Sequence, residues 1–269
     1  MDYPLVISYD NNPTNETRIF IKTLEANGWE YEIIGLGETW KGFETKVEGY
    51  HKFLKSLPDN KLIVLSDARD VVCLRSNKAF LEGFNTFGKP MVVNMEVFCD
   101  GKVEVASDYI GGQCVSLTKY WKHHNIVKMP LRKFVNSGLI AGRVSELRKW
   151  LSWTIENKLL DDQMALGSYM NAFPNRIAVD TDAILLHSST FGVNAGIQEI
   201  HMQKNDSPTL AELFGRGAFF LHIPGCTAKG QKKVYTTVCK LLEMGICDKN
   251  MSVDYSYKEP KWNGYDGKV

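Results

Sequence analysis

Apolar residues along this chain come in short runs that alternate with stretches of helical spacing. The run at 5–10, "LVISYD", ends in the polar turn "NNPTNE". Ile19, Phe20 and Leu24 then recur at helical intervals until Gly28, which predicts a helix over 17–28. "EYEIIGLG" (30–37) predicts a second strand, "KVEGYHKFLKSL" (46–57) a second helix, and "KLIVLS" (61–66) a third strand. The same alternation continues with a helix over 77–88, a strand over 89–96, and a strand that becomes an amphipathic helix over 138–157. A helix over 161–173 follows, then late strands in "IAVDTDAILLHSS" (177–189) and "GAFFLHIPG" (217–225), and a closing helix over 232–245. The opening βαβαβ order argues for an α/β fold with a parallel sheet covered by helices, whose ligands gather at the carboxyl ends of the strands. With no repeat, low-complexity stretch or linker in 269 residues, a single domain is expected, with a core over about 4–230 and a polar, aromatic tail.

Composition narrows the function classes. Thirty-two basic residues stand against 31 acidic ones, without a basic block, which argues against a nucleic-acid partner. No apolar run approaches the ~20 residues that span a bilayer, and the amino terminus has no basic flank or long apolar core of a leader. Six cysteines without CxxC spacing read as free thiols in a reducing compartment, so an intracellular, soluble chain is expected; a secretory lumen is the alternative if a leader has been removed.

The chemistry concentrates where apolar strands meet charge. "KLIVLSDARDVVCL" (61–74) drives a buried strand into Asp67, Arg69 and Asp70. Two carboxylates three residues apart can hold one hard divalent cation, or can serve as a turn cap and a surface ion pair. His222 closes another strand, and with Asp67 and Asp70 it can complete an octahedral site for Mn²⁺ or Mg²⁺. Gly225 and Lys229, just beyond, suit a diphosphate: close backbone approach and a point charge. Asp161 and Asp162 open a helix, where acids also favour the macrodipole. Asn136-Ser137-Gly138 reads equally as sugar-lining residues or as a turn before "LIAG". Trp150 and Trp153 read as core, and His123-His124 as a solvated helix end.

Taken in order, "LVISYD…TRIFIKTLEANGWEYEIIGLGETWKGFETKV", "LIVLSDARDVV", "FVNSGLIAG", "LDDQM" and "HIPGCTAK" resemble the glycosyltransferase domain of the multifunctional collagen lysyl hydroxylases, over about residues 4–230. That resemblance implies a GT-A fold, Rossmann-like, with a mixed, mostly parallel sheet, a manganese ion and a UDP-sugar donor. The implied reaction moves glucose from UDP-glucose to galactosyl-hydroxylysine of a collagen-like polypeptide, with retention at the anomeric carbon. Asp67, Asp70 and His222 match the family's metal ligands, Lys46 a lysine near the diphosphate, and Trp40 a tryptophan by the active site. Asp161 and Asp162 match acids over the sugar and acceptor, and Asn136 matches a residue lining the donor sugar. Three positions depart from the family. Arg69 stands in place of a tyrosine that stacks on uracil, Asp100 replaces an aromatic residue, and Pro224 replaces an asparagine. UDP-galactose transfer to hydroxylysine, another UDP-sugar transfer, and a non-catalytic nucleotide-sugar-binding module are the competing readings.

Overall fold

The computed structural model describes residues 3–96, 115–130, 132–159, 161–188 and 218–224. Gly225, Lys229, Asp100, the closing helix and the tail lie outside the described residues.

Five-residue strands β1 (Leu5–Tyr9), β2 (Glu30–Ile34) and β3 (Leu62–Ser66) are joined through helices α1 (Asn15–Ala26) and α2 (Phe43–Leu54). β4 (Val71–Cys73), α3 (Phe80–Thr86), β5 (Met91–Glu96) and α4 (Thr118–His123) follow. Next come β6 (Phe134–Arg143), α5 (Val144–Glu156), α6 (Asp162–Ala172), β7 (Ile177–Asp180), β8 (Leu186–Ser188) and β9 (Phe220–His222). The main sheet has the order β2-β1-β3-β6-β5-β7, and a second sheet has the order β4-β9-β8.

The main sheet is mixed rather than wholly parallel. β1 pairs in parallel with β2 and β3, and β5 with β7, but β6 runs antiparallel to both β3 and β5. The opening βαβαβ pattern applies only up to β3; β6 is reached by a different connection and enters the sheet from the other end.

Alternation along the strands explains the two cores. Ile7, Ile63, Leu65, Met91, Val93 and Ile140 face a layer built by α2, α5 and α6, with Trp150 and Tyr169 buried in it. Their neighbours Val6, Leu62, Val64, Val92 and Leu139 face the opposite layer, where Phe20, Phe80, Phe220, Val71 and Leu186 pack. Both faces of the sheet are therefore covered, as the continuous apolar strands require.

The stretch read as one late strand is two. Asp180 ends β7, and its carboxylate accepts the backbone N–H groups of Ile184, Leu185 and Leu186 at 2.7–2.8 Å. Ala183 takes φ 54° inside the resulting turn, which carries β8 out of the main sheet and into the second. Burial raises the Asp180 pKa, and the three N–H bonds pull it back down. Asp180→Ala removes one charged acceptor from three donors and is expected to cost about 3–5 kcal/mol. Urea unfolding with an unchanged slope is the check, and an unaltered midpoint would refute the role.

Candidate active site

β1 connects outward to β2 on one side, and the chain then returns to place β3 on the other side of β1. A crevice opens at such a reversal, beyond the carboxyl ends of the strands. Asp10 follows β1 there, Asp67 and Asp70 follow β3, and Glu96 ends β5. β6 begins at the same end because it runs the opposite way.

Three backbone links fix the acids and the histidine. The antiparallel register of β4 and β9 sets His222 opposite Val71, next to Asp70. Ile223 N–H donates to the Asp70 carbonyl at 2.8 Å, and Asp67 N–H donates to the Gly138 carbonyl at 2.9 Å. Between Val93 and Asn94 the β5–β6 ladder skips residues 137–139, and this bulge brings Gly138 under the imidazole. A Cβ at Gly138 would lie 2.2 Å from His222 Cε1, so only glycine fits there.

His222 Nε2 lies 3.3 Å from Asp70 Oδ2 and 3.6 Å from Asp67 Oδ2. The three side chains offer ligand atoms all within 4.8 Å of one another, and Asp70 and His222 are buried. Among the described residues, neither ring nitrogen of His222 makes a hydrogen bond, although Nε2 lies in ion-pair range of both acids. A buried nitrogen aimed at two carboxylates is what a divalent cation would use, so the residues fit one. Burial works against a charged ring, yet the attraction of Asp70, then of Asp67 and Glu96, outweighs it and lifts the His222 pKa above its ordinary value.

Lys46, on the first turns of α2, is buried between two acids. Its Nζ donates to Asp67 Oδ1 at 2.5 Å and to Asp162 Oδ2 at 2.7 Å. Burial opposes its charge, but Asp162 and Asp67 hold its pKa well above the usual lysine value. Asp161 and Asp162 thus play different parts. Asp161 caps α6 by accepting the Met164 N–H at 2.8 Å, whereas Asp162 points into the Lys46 pair.

The other singled-out residues are placed as follows. Arg69 reaches back to Asp10, with Nη2 2.7 Å from Oδ1, and also donates to the Asn12 carbonyl at 3.0 Å. Trp40 is half-buried against Tyr9 and Phe43, ring centroids 5.9 and 5.8 Å away. Tyr9 itself fits because Gly35, at φ +87°, leaves its ring room that a side chain would fill. Asn136 is a strand residue, not a turn; its Oδ1 accepts the Gly138 N–H at 2.8 Å and its Nδ2 donates to Glu96 at 3.3 Å.

Glu96, Gln163 and Asp10 were not singled out by the sequence. Gln163 donates to Glu96 at 3.5 Å and accepts the Ser137 N–H at 3.4 Å, tying α6 to β5 and β6. The rule that flagged Asp67, an acid closing a buried strand, applies equally to Glu96 in "MVVNME" and to Asp10 in "LVISYD".

The family model of the PLOD GT domain matches residues 2–209. The chain belongs to the PLOD GT domain family. It is a glycosyltransferase of PLOD type. Relatives include a multifunctional procollagen lysine hydroxylase and glycosyltransferase of Caenorhabditis elegans, 22% identical over 76% of this chain and 28% of that protein. An uncharacterized protein, R699, of Acanthamoeba polyphaga mimivirus is 25% identical over 60% of this chain and 34% of that protein. The matches therefore span about a third of these relatives. Among solved structures, a glycosyltransferase involved in glycosylation of the PBCV-1 major capsid aligns over 87% of this chain and 99% of its own, at 12% identity and TM-score 0.48. The WbbM bifunctional glycosyltransferase aligns over 91% of this chain and 51% of its own, also at 12% identity, with TM-score 0.49.

Two outcomes test how this PLOD GT domain holds its site. Lys46→Met strands the buried Asp162 carboxylate and is expected to cost about 3–5 kcal/mol, part of which Asp162→Asn in the same protein restores. Chemical denaturation of the single and double variants reads this; additive losses would refute the pairing. Gly138→Ala should push the His222 ring aside, with about 1–3 kcal/mol of overpacking and a loss of divalent-cation binding. Calorimetric titration with Mn²⁺ measures the second effect.

Proposed function

We propose that this domain transfers glucose from UDP-glucose to galactosyl-hydroxylysine of a collagen-like polypeptide, with the anomeric configuration retained. The observation that carries the reading is the cluster Asp67, Asp70 and His222 beside the buried Lys46–Asp162 pair, at the switch point of a chain in this family. Asp67, Asp70 and His222 would hold a divalent cation, Mn²⁺ in the first instance and Mg²⁺ in the second. Bound there, the cation supplies Lewis acidity toward the diphosphate oxygens.

Lys46 places a fixed positive charge beside Asp67, where the leaving diphosphate gathers negative charge, and Lys229 adds a second cation in the same role. Gly225 allows the backbone close to the phosphates. Asp162 supplies a carboxylate against the positive charge that develops on the sugar ring, and Asp161 fixes the amino end of α6 that carries it. Asn136 lines the donor sugar, Arg69 lies against the base with its guanidinium steadied by Asp10, and Trp40 borders the donor site. In a retaining transfer the acceptor hydroxyl attacks the anomeric carbon from the face that the diphosphate leaves. The new glycosidic bond forms as the sugar–phosphate bond breaks, and the acceptor proton passes to the departing phosphate.

The sequence keeps a second donor or acceptor in play. Asp100 replaces an aromatic residue and Pro224 an asparagine on what the resemblance makes the sugar and acceptor side, whereas Arg69, paired with Asp10, can still stack on the base. UDP-galactose transfer to hydroxylysine is the reading that these changes leave next in line. Mass analysis of hydroxylysine and galactosyl-hydroxylysine peptides with UDP-glucose, UDP-galactose and UDP-N-acetylglucosamine decides between them. The expected product is a single added hexose on the galactosylated peptide with UDP-glucose alone. Asp70→Ala and His222→Ala should each abolish cation-dependent turnover while the circular dichroism is unchanged; full activity in either would sink the metal assignment. UDP should raise the melting temperature, and more so with Mn²⁺ present.

A further inference from the structure

His222 presents one ring nitrogen to the acids and leaves the other behind. Nε2 faces Asp70 and Asp67, so Nε2 is the nitrogen available to a cation. A neutral imidazole carries one proton, and ligation through Nε2 requires that proton on Nδ1. A ligating histidine is normally fixed by an acceptor for that second N–H. Nδ1 of His222 is buried and has no hydrogen-bond partner among the described residues.

The strand beside it carries a matching deficit. β8 and β9 are parallel, with Ser188 in register with His222, so the two side chains stand side by side on one face. That face looks toward the main sheet, because the His222 ring rests on Gly138. Ser188 is 1% exposed, and among the described residues its hydroxyl also has no hydrogen-bond partner. Across the gap, Asn94 on β5 is wholly buried, and neither its amide nitrogen nor its oxygen is hydrogen-bonded to a described residue. By strand alternation it shares the face of Val92, which packs toward the second sheet. Three polar side chains that native interiors would ordinarily satisfy thus occupy the same interlayer space behind the site.

We propose that Ser188 is the positioning residue for His222: its hydroxyl accepts a hydrogen bond from Nδ1–H, directly or through one buried water shared with Asn94, and so keeps the Nε2 lone pair turned toward Asp67 and Asp70. This rests on the divalent-cation reading above and adds residues that act through the ligand, without touching the cation or the substrates. The competing acceptor is Glu96, whose carboxylate is held by the amides of Asn136 and Gln163.

The test uses the whole chain with metal alone, without nucleotide. Mn²⁺ affinity by electron paramagnetic resonance should fall about tenfold in Ser188→Ala. The melting temperature of the metal-free variant should change little, because the hydroxyl engages the imidazole only once a cation fixes the ring. A merely structural serine would move the two readouts together. Long-range ¹H–¹⁵N spectra of the wild-type protein with Mg²⁺ should place the His222 proton on Nδ1, a readout that survives even if the variant fails to fold. Unchanged Mn²⁺ affinity in Ser188→Ala, a proton on Nε2, or a loss confined to Glu96→Gln would each overturn the proposal. A wild-type protein that binds no Mn²⁺ would overturn the metal reading itself, and is told apart by that first titration.

Discussion

A single buried ammonium organises the charged end of this molecule. Lys46 is clamped between Asp67 and Asp162, and each of those acids belongs to a different part of the fold: the end of β3 and the first turn of α6. Neither Lys46 nor Asp162 would tolerate that degree of burial alone, since an isolated charge out of water is far more costly than an unmade hydrogen bond. Their mutual neutralisation lets α2 and α6 close over the sheet at the very end where the strand termini leave a crevice. The helix cap at Asp161 aims Asp162 at that cation, and Gln163 carries the link on to Glu96.

The second organising device is steric. Gly138 has no side chain, and the imidazole of His222 occupies the space one would need. The bulge that delivers Gly138 also leaves its carbonyl free to receive the Asp67 N–H. Two ligand-bearing segments are therefore referenced to one residue of β6. A contact of this kind fixes relative position to within tenths of an ångström, which ion pairs on long side chains do not.

Much of this was legible from the sequence. "KLIVLSDARDVV" announces a buried strand with an acidic end, and the strand of "AFFLH" ends in a histidine; hydrophobic patterning and the strand-end rule suffice to nominate Asp67, Asp70 and His222. What the pattern could not carry is anything set by a partner strand. The direction of β6 depends on which neighbours it finds, so the opening βαβαβ pattern alone reveals only the parallel part of a sheet that the resemblance gave as mixed. Asn136-Ser137-Gly138 was ambiguous because a bulge is a property of a ladder, not of one strand. "IAVDTDAILLHSS" alternates well enough to pass for a single strand, and only the three N–H groups gathered by Asp180 reveal the break. Arg69 looked like a companion to Asp70, yet its partner is Asp10, at the end of a strand 59 positions away in the chain.

The antiparallel pairing of β4 with β9 joins residues about 150 positions apart, and the entropy of closing so long a loop, although it grows only slowly with length, must be met before that pairing is rewarded. The acids are delivered early, by a strand that can pair with β1 as soon as it is made; the histidine arrives with a three-residue strand that comes last in the described chain. During synthesis the polypeptide can therefore complete its first three strands while the Asp67, Asp70 and His222 cluster is still unfinished. On the proposed metal reading, competence to hold a cation is then acquired only when the distant segment has docked, and is lost when that segment lets go.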